Sequence, residues 1–168
     1  MTHPPVIVVD EHDNVIGAET LKEVWKHGLY HRIVRIMVED PDGRILLQKR
    51  APNMDLSPGR WDHSAAGHVD EGDNYEQAAA RELHEELGVD TELQQVATYR
   101  TNGNFQGRIL NRFNRLYRCM LPADTPFKLQ PEEVSEVRWF TVDEIKRLIA
   151  EHPERVTDGI VDVMERFY

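Results

Sequence analysis

A chain of 168 residues is close to the size of one compact domain, and its 40% hydrophobic content is enough for a single core, so one domain without a separate regulatory module is expected over residues 1–168. Its formal net charge of -10 disfavours DNA or RNA as the partner, because affinity for a polyphosphate backbone comes from Lys and Arg. No run approaches the roughly 18 apolar residues of a spanning helix, so no membrane partner is expected. Met1 to Pro5 carries no charged-then-apolar secretion pattern, so a cytoplasmic location is expected. The single cysteine, Cys119, sits in the apolar run Leu116 to Leu121 and is expected to be a small buried hydrophobe.

Val6 to Val9 is apolar and β-branched. Asp10 to Asn14 is turn-forming, and Val15-Ile16-Gly17 completes an expected hairpin. Thr20, with Glu23 at the capping-box spacing, starts a short helix that Gly28 stops, so residues 1 to about 28 read as a hairpin and one helix. The hairpin either extends a sheet within the chain or pairs across a homodimer. Ile33 to Val38 and Ile45 to Leu47 flank an Asp-Gly turn and form a second hairpin. Ala51 to Gly59 is a loop, Trp61 to Ala66 returns to the sheet, and Gly67 to Gly72 is an acidic loop.

Asn74 to Leu87, rich in Ala, Glu and Leu and closed by Gly88, is the best-defined helix. Leu93 to Thr101 and Ile109 to Leu121 read as strands around a flexible polar loop, Asn102 to Gly107, placed to shape a substrate pocket. Val134 to Phe140 is the last strand, and Asp143 to Ala150 and Glu154 to Phe167 are closing helices broken at His152-Pro153.

Nine carboxylates and one Arg, Arg81, lie between Asp70 and Glu92. Glu82, Glu85 and Glu86 share one helical face within an arc of about 100°. Ala80, Leu83 and Leu87 form the adjoining apolar arc, which leaves the carboxylates at the edge of the core. Like charges at this spacing destabilise a helix. A hard divalent cation offsets that cost, since Mg²⁺ takes oxygen ligands and bridges carboxylates to phosphates.

Gly67-His68-Val69-Asp70-Glu71-Gly72-Asp73 together with Arg81-Glu82-Leu83-His84-Glu85-Glu86-Leu87-Gly88-Val89 resembles the Nudix box, residues 67–89. The one departure is Asp73, where the box has Glu. The resemblance implies an α/β fold, a Nudix-type α/β/α sandwich with a mixed central sheet to which the N-terminal hairpin is added. It also implies a hydrolase that cuts a phosphoanhydride bond in a nucleoside diphosphate derivative or a related small diphosphate. Glu82, Glu85, Glu86 and the Gly67 carbonyl are the implied ligands of Mg²⁺ or Mn²⁺, and Glu85 and Glu86 also carry catalysis. Arg81 orients a glutamate, and water activated by the metal attacks phosphorus.

Outside the box the chain most resembles the branch that contains isopentenyl-diphosphate isomerase, through Gly28 to Arg32, Leu47 to Ala51, Ser57 to Trp61 and Ser64 to His68. Isomerases of this type place a cysteine just before the Gly-His pair. Here Ala65-Ala66 stands there, and alanine cannot move a proton, so hydrolase is the expected activity. The alternatives are an isomerase-like enzyme and a non-catalytic metabolite-binding module.

The general base is sought among Glu132, Glu133 and Glu136, with Glu133 favoured. Arg50 is the favoured phosphate contact among His31, Arg32, Arg35, Lys49 and Arg50, because a guanidinium suits bidentate phosphate binding. Arg35 and His68 are further substrate contacts, and His63 is a flanking candidate. Trp61, Tyr99, Phe105 and Tyr117 either stack on a base or fill the core.

Overall fold

The computed structural model describes residues 3–168; Met1 and Thr2, the start of the segment read for a leader, lie outside the described residues. The strands are β1 (Val6–Val9), β2 (Val15–Glu19), β3 (His31–Glu39), β4 (Ile45–Arg50), β5 (Trp61–Asp62), β6 (Ala65–His68), β7 (Gln94–Phe105), β8 (Arg108–Met120) and β9 (Val134–Phe140). All belong to one mixed, open sheet. The helices are α1 (Leu21–His27), α2 (Tyr75–Leu87), α3 (Val142–Glu151) and α4 (Asp158–Phe167), with a 3₁₀ turn at Pro153–Arg155. No helix among the described residues is long and apolar enough to cross a membrane.

β3 is the spine. It runs parallel to β8 from His31↔Arg112 to Glu39↔Met120 and antiparallel to β6 from Ile33↔His68 to Ile36↔Ala65. Its burial on both faces explains why apolar residues sit at successive positions, Ile33-Val34 and Ile36 to Val38, with Arg35 the one charge between them. Val34, Ile36 and Val38 point to one face and pack under α2 with Leu83 and Leu87. Met37 points to the other, where Leu47, Leu116, Ile145 and Ile160 join α3 and α4 to the sheet. These faces make the two outer layers of an α/β sandwich. β3 meets β4 only at Val38↔Leu46 and Glu39↔Ile45. Beyond that point β4 pairs with β5 and β9 while β3 pairs with β6, so the two strands diverge.

The N-terminal hairpin joins the sheet within its own chain, through Val8↔His31 and the amide of Val9 donating to Tyr30 O. Thr20 caps α1 by accepting from the Glu23 amide, and Gly28, at φ 65°, ends it. The Glu23 carboxylate turns instead to His27, 3.0 Å away. α2 has a full capping box, Asn74 with Gln77, and stops at Gly88, whose φ is 70°.

Three expectations are corrected. Asn102 to Gly107 is not a flexible loop: β7 and β8 stay paired as far as Phe105↔Arg108. Only Gln106 and Gly107 turn, at φ 50° and 82°, the double positive φ of a tight hairpin turn. The Asn102 amide donating to Asn111 across the strands, at 2.8 Å, turns a polar stretch into strand. The closing helix starts at Asp158, not Glu154, because Thr157 caps it and its amide donates to Trp61 O. In α2, Ala80 is exposed and Ala78 and Ala79 take the core positions. The buried stripe therefore runs through Glu82 and Glu86, which are not at its edge: they are 6% and 3% exposed.

Candidate active site

The two buried glutamates follow from helical geometry. Glu82 and Glu86, four residues apart, are separated by about 40° around α2, whereas Glu85 lies about 60° to the other side of Glu82. Glu85 is thereby turned half into solvent, 3.7 Å from Arg81. The carboxylates that converge are Glu82, Glu86 and Glu133, each offering an oxygen within 4.8 Å of the others. Glu133 arrives on the turn before β9, held by its carbonyl accepting from the Ala51 amide. Glu132 is exposed, and Glu136 is engaged with Arg138 at 2.8 Å.

Each member of the cluster is positioned. Both oxygens of Glu86 are fixed, one accepting from Gln48 Nε2 at 2.7 Å and the other from the Ala66 amide at 3.2 Å. Arg81 donates to Glu82 at 2.9 Å, to Asp73 at 3.3 Å and to the His68 carbonyl at 3.3 Å, and lies 3.2 Å from Asp70. It thus fastens the acidic loop to α2. Asp73, the residue that departs from the box, has its carboxylate on Arg81. Gly67 runs so close to α2 that a β-carbon there would collide with the Glu82 carboxylate.

Burial pushes the Glu82 carboxyl up to about 8 and that of Glu86 well above the ordinary range, with the neighbouring acids adding to both shifts. Burial also raises Glu133, helped by Glu85. Three facing carboxylates, of which only Glu82 has a guanidinium at 2.9 Å, suit a hard divalent ion, for which all are oxygen donors.

The cluster opens on a cavity of about 530 Å³, lined by Gly67, Glu82 and Glu133 on one side and by Arg35, Arg50 and Arg112 among others. Arg50 is braced by Leu56 O at 2.9 Å and by Asp62 at 3.1 Å. Although burial opposes its ionisation, His63 and Arg50 hold the Asp62 carboxyl well below its usual range. Arg35 donates to Asn114 at 3.2 Å. His68 lines the cavity, stacked on His31 with ring centroids 5.6 Å apart, and its Nε2 is buried without a partner.

The other candidates are placed elsewhere. Arg32 is paired with Asp13 at 2.8 Å, Lys49 lies over the Trp61 ring, and His31 and His63 are fully buried. Tyr99 and Phe105 line the cavity, while Trp61 and Tyr117 belong to the cores. Cys119 is buried on the α2 side, where burial lifts its thiol to about 11.

Sequence reasoning missed Gln48, Asp62, Arg112 and Asn114. The available signal for the last two was the alternation Leu110, Arg112, Asn114, Leu116, a polar step inside an otherwise apolar strand face.

A family model for the NUDIX domain matches residues 29–159. The chain belongs to the Nudix family. It is 36% identical over 142 residues to an uncharacterized Nudix hydrolase of Yersinia pestis, covering 83% of this chain and 74% of that one. It is 32% identical over 161 residues to an isopentenyl-diphosphate Delta-isomerase of Serratia proteamaculans, covering 95% and 89% respectively. A crystal structure of a Deinococcus radiodurans protein superimposes with a TM-score of 0.81 at 25% identity, covering 98% of this chain and 99% of the other. The fold is the Nudix α/β fold, and the chain is a Nudix hydrolase by family.

Proposed function

We propose that this protein hydrolyses a phosphoanhydride bond in a nucleoside diphosphate derivative or a related small diphosphate, with Mg²⁺ or Mn²⁺. The observation that carries the reading is the convergence of Glu82, Glu86 and Glu133 at the wall of a cavity that also holds three arginines. Glu82 and Glu86 would hold the ion, with the Gly67 carbonyl as a further donor; Glu85, half in solvent beside Arg81, would join only by turning towards them. A divalent cation there neutralises phosphate charge and makes nearby water more acidic.

The rest of the work falls to the chain. Arg81 keeps Glu82 oriented and, as a guanidinium, takes no part in proton transfer. Glu133, with its carboxyl raised towards neutrality, accepts the proton of the attacking water. Arg50 is prevented from swinging by Leu56 and Asp62 and presents its remaining donors to phosphate. His68 adds a ring nitrogen to the same cavity.

Isomerisation is disfavoured by the same geometry. Ala66 lines the cavity but carries no transferable proton, and Cys119 is packed in the apolar core under α2 and does not line the cavity, so neither supplies a proton at the site. The test is product release from nucleotide-sugars, dinucleotides, nucleoside triphosphates and isoprenoid diphosphates with Mg²⁺ or Mn²⁺, with Glu86→Gln as control. Metal-dependent cleavage that Glu86→Gln abolishes supports the reading. Tight binding without cleavage, or isomerisation of isopentenyl diphosphate, overturns it.

A further inference from the structure

Three arginines line the cavity, and their charge is unevenly matched by carboxylates at ion-pair distance. The charge of Arg50 is answered by Asp62 at 3.1 Å. Arg35 has only the neutral Asn114 amide as its side-chain partner. Arg112 has a buried Nε with no hydrogen-bond partner at all. Among the described residues neither Arg35 nor Arg112 enters an ion pair. Of the other acids that line the cavity away from Glu82 and Glu133, Asp55 and Asp158 are exposed, and Asp162 is paired with Arg166 at 2.9 Å.

Strand register explains why the two arginines meet. Ile33 stands opposite Asn114 and His31 opposite Arg112 on the parallel strands β3 and β8. Arg35 lies two residues beyond Ile33 on the same face, and its side chain reaches back to Asn114. Its guanidinium is therefore one same-face step from Arg112. Thr101, opposite Arg112 on β7, contributes a hydroxyl to the same wall. On the other side the first turn of α4 covers Arg35: a β-carbon at Gly159 would sit 3.5 Å from its guanidinium. Two guanidiniums with no carboxylate at ion-pair distance, which share only the longer-range charge of an Asp62 already engaged by Arg50 and His63, match a ligand that brings two negative charges.

Building on the hydrolase reading, we propose that Arg35 and Arg112 bind an unsubstituted terminal phosphate. The substrates are then diphosphate monoesters, such as nucleoside diphosphates, rather than diphosphates substituted at both ends, such as nucleotide-sugars. A terminal phosphate presents about two charges where a doubly substituted diphosphate presents one on each phosphorus, so the arginine pair selects the former. In the reaction, water oxygen bonds to one phosphorus and the bridging P–O bond breaks. The bridging oxygen leaves with the other phosphate, so that R–O–PO₂–O–PO₃³⁻ and H₂O give R–O–PO₃²⁻, HPO₄²⁻ and H⁺.

The test compares matched pairs on the Mg²⁺-loaded wild-type protein: ADP with ADP-ribose, UDP with UDP-glucose, CDP with CDP-choline and GDP with GDP-mannose. In the preferred pair, kcat/KM is expected to be about 10- to 100-fold higher for the free diphosphate. Arg112→Gln and Arg35→Gln are expected to remove most of that preference, chiefly through KM, by weakening turnover of the free diphosphate about 10-fold more than that of its substituted partner. Equal or better cleavage of the substituted partner overturns the proposal, as does an equal loss on both partners in the variants. If no pair is cleaved, the wider substrate panel decides the hydrolase reading separately, and calorimetry with inorganic pyrophosphate and Mg²⁺ decides the anion site. Binding that is weakened about 10-fold or more in both variants keeps it, and absent or unaltered binding removes it. Arg112→Lys, which retains the charge, is expected to bind pyrophosphate more tightly than Arg112→Gln.

Discussion

Replacing Glu82 by Gln removes one of the three facing carboxylates while keeping the shape of the side chain. The amide oxygen still accepts from Arg81, and the amide NH₂ gains a donor contact towards the other two acids. Two unit charges no more than 4.8 Å apart repel by about 3.5 kcal/mol or more at an effective dielectric of about 20. Proton uptake relieves part of this repulsion, and the lost charge on the Arg81 contact subtracts more. The metal-free variant is therefore expected to be more stable than wild type by about 1–2 kcal/mol, a rise in Tm of about 2–8 °C for a chain of this length.

Metal reverses the order. At a hundredfold excess of Mg²⁺ over Kd, the wild type gains about 2.7 kcal/mol, whereas the variant, short of a ligand, gains little. Thermal melts of both proteins in EDTA and in Mg²⁺ read this inversion directly. A variant that melts below wild type in EDTA refutes the electrostatic argument. One that keeps the full Mg²⁺ shift refutes the placement of the ion.

Other consequences are as direct. Gly67→Ala forces a methyl into the Glu82 carboxylate; the displaced side chain is expected to cost about 100-fold or more in kcat with a stability loss of only about 1–3 kcal/mol, checked by pairing kinetics with melts. His31 is buried and its ring ionises near 3, against 6.5 ordinarily. The unfolded chain thus takes up a proton that the fold refuses, so stability is complete above pH 6.5 and falls as pH drops towards 3. That loss is up to about 1.4 kcal/mol per pH unit from this ring, and His31→Gln is expected to flatten the acid limb of a urea-melt pH series. Thr157→Val removes both the cap of α4 and the 2.9 Å hydrogen bond to Asp62. It is expected to cost about 1–3 kcal/mol, visible as a lower urea midpoint with unchanged m.

Much of the site was legible because its local geometry is written in spacing. Glu82 and Glu86 at four residues share a helical stripe whatever else the chain does, and Gly28 and Gly88 end their helices because only glycine adopts positive φ freely. The strands around Asp42-Gly43 follow equally from turn chemistry and apolar runs. Asn102 to Phe105 misled for a physical reason: polar residues pair as strand when a partner strand satisfies their backbone, and here the turn is confined to Gln106-Gly107, so β8 folds straight back onto them.

What the tertiary structure alone decided is which distant residues meet. Divergence of β4 from β3 opens the cavity, and the turn before β9 brings Glu133 to α2 in place of Glu85. Parallel pairing of β3 with β8 sets Arg112 beside Arg35 across more than seventy residues of chain. Helical and strand periods fix the direction of a side chain relative to its own element, but the register between elements is set by the packing of the whole core.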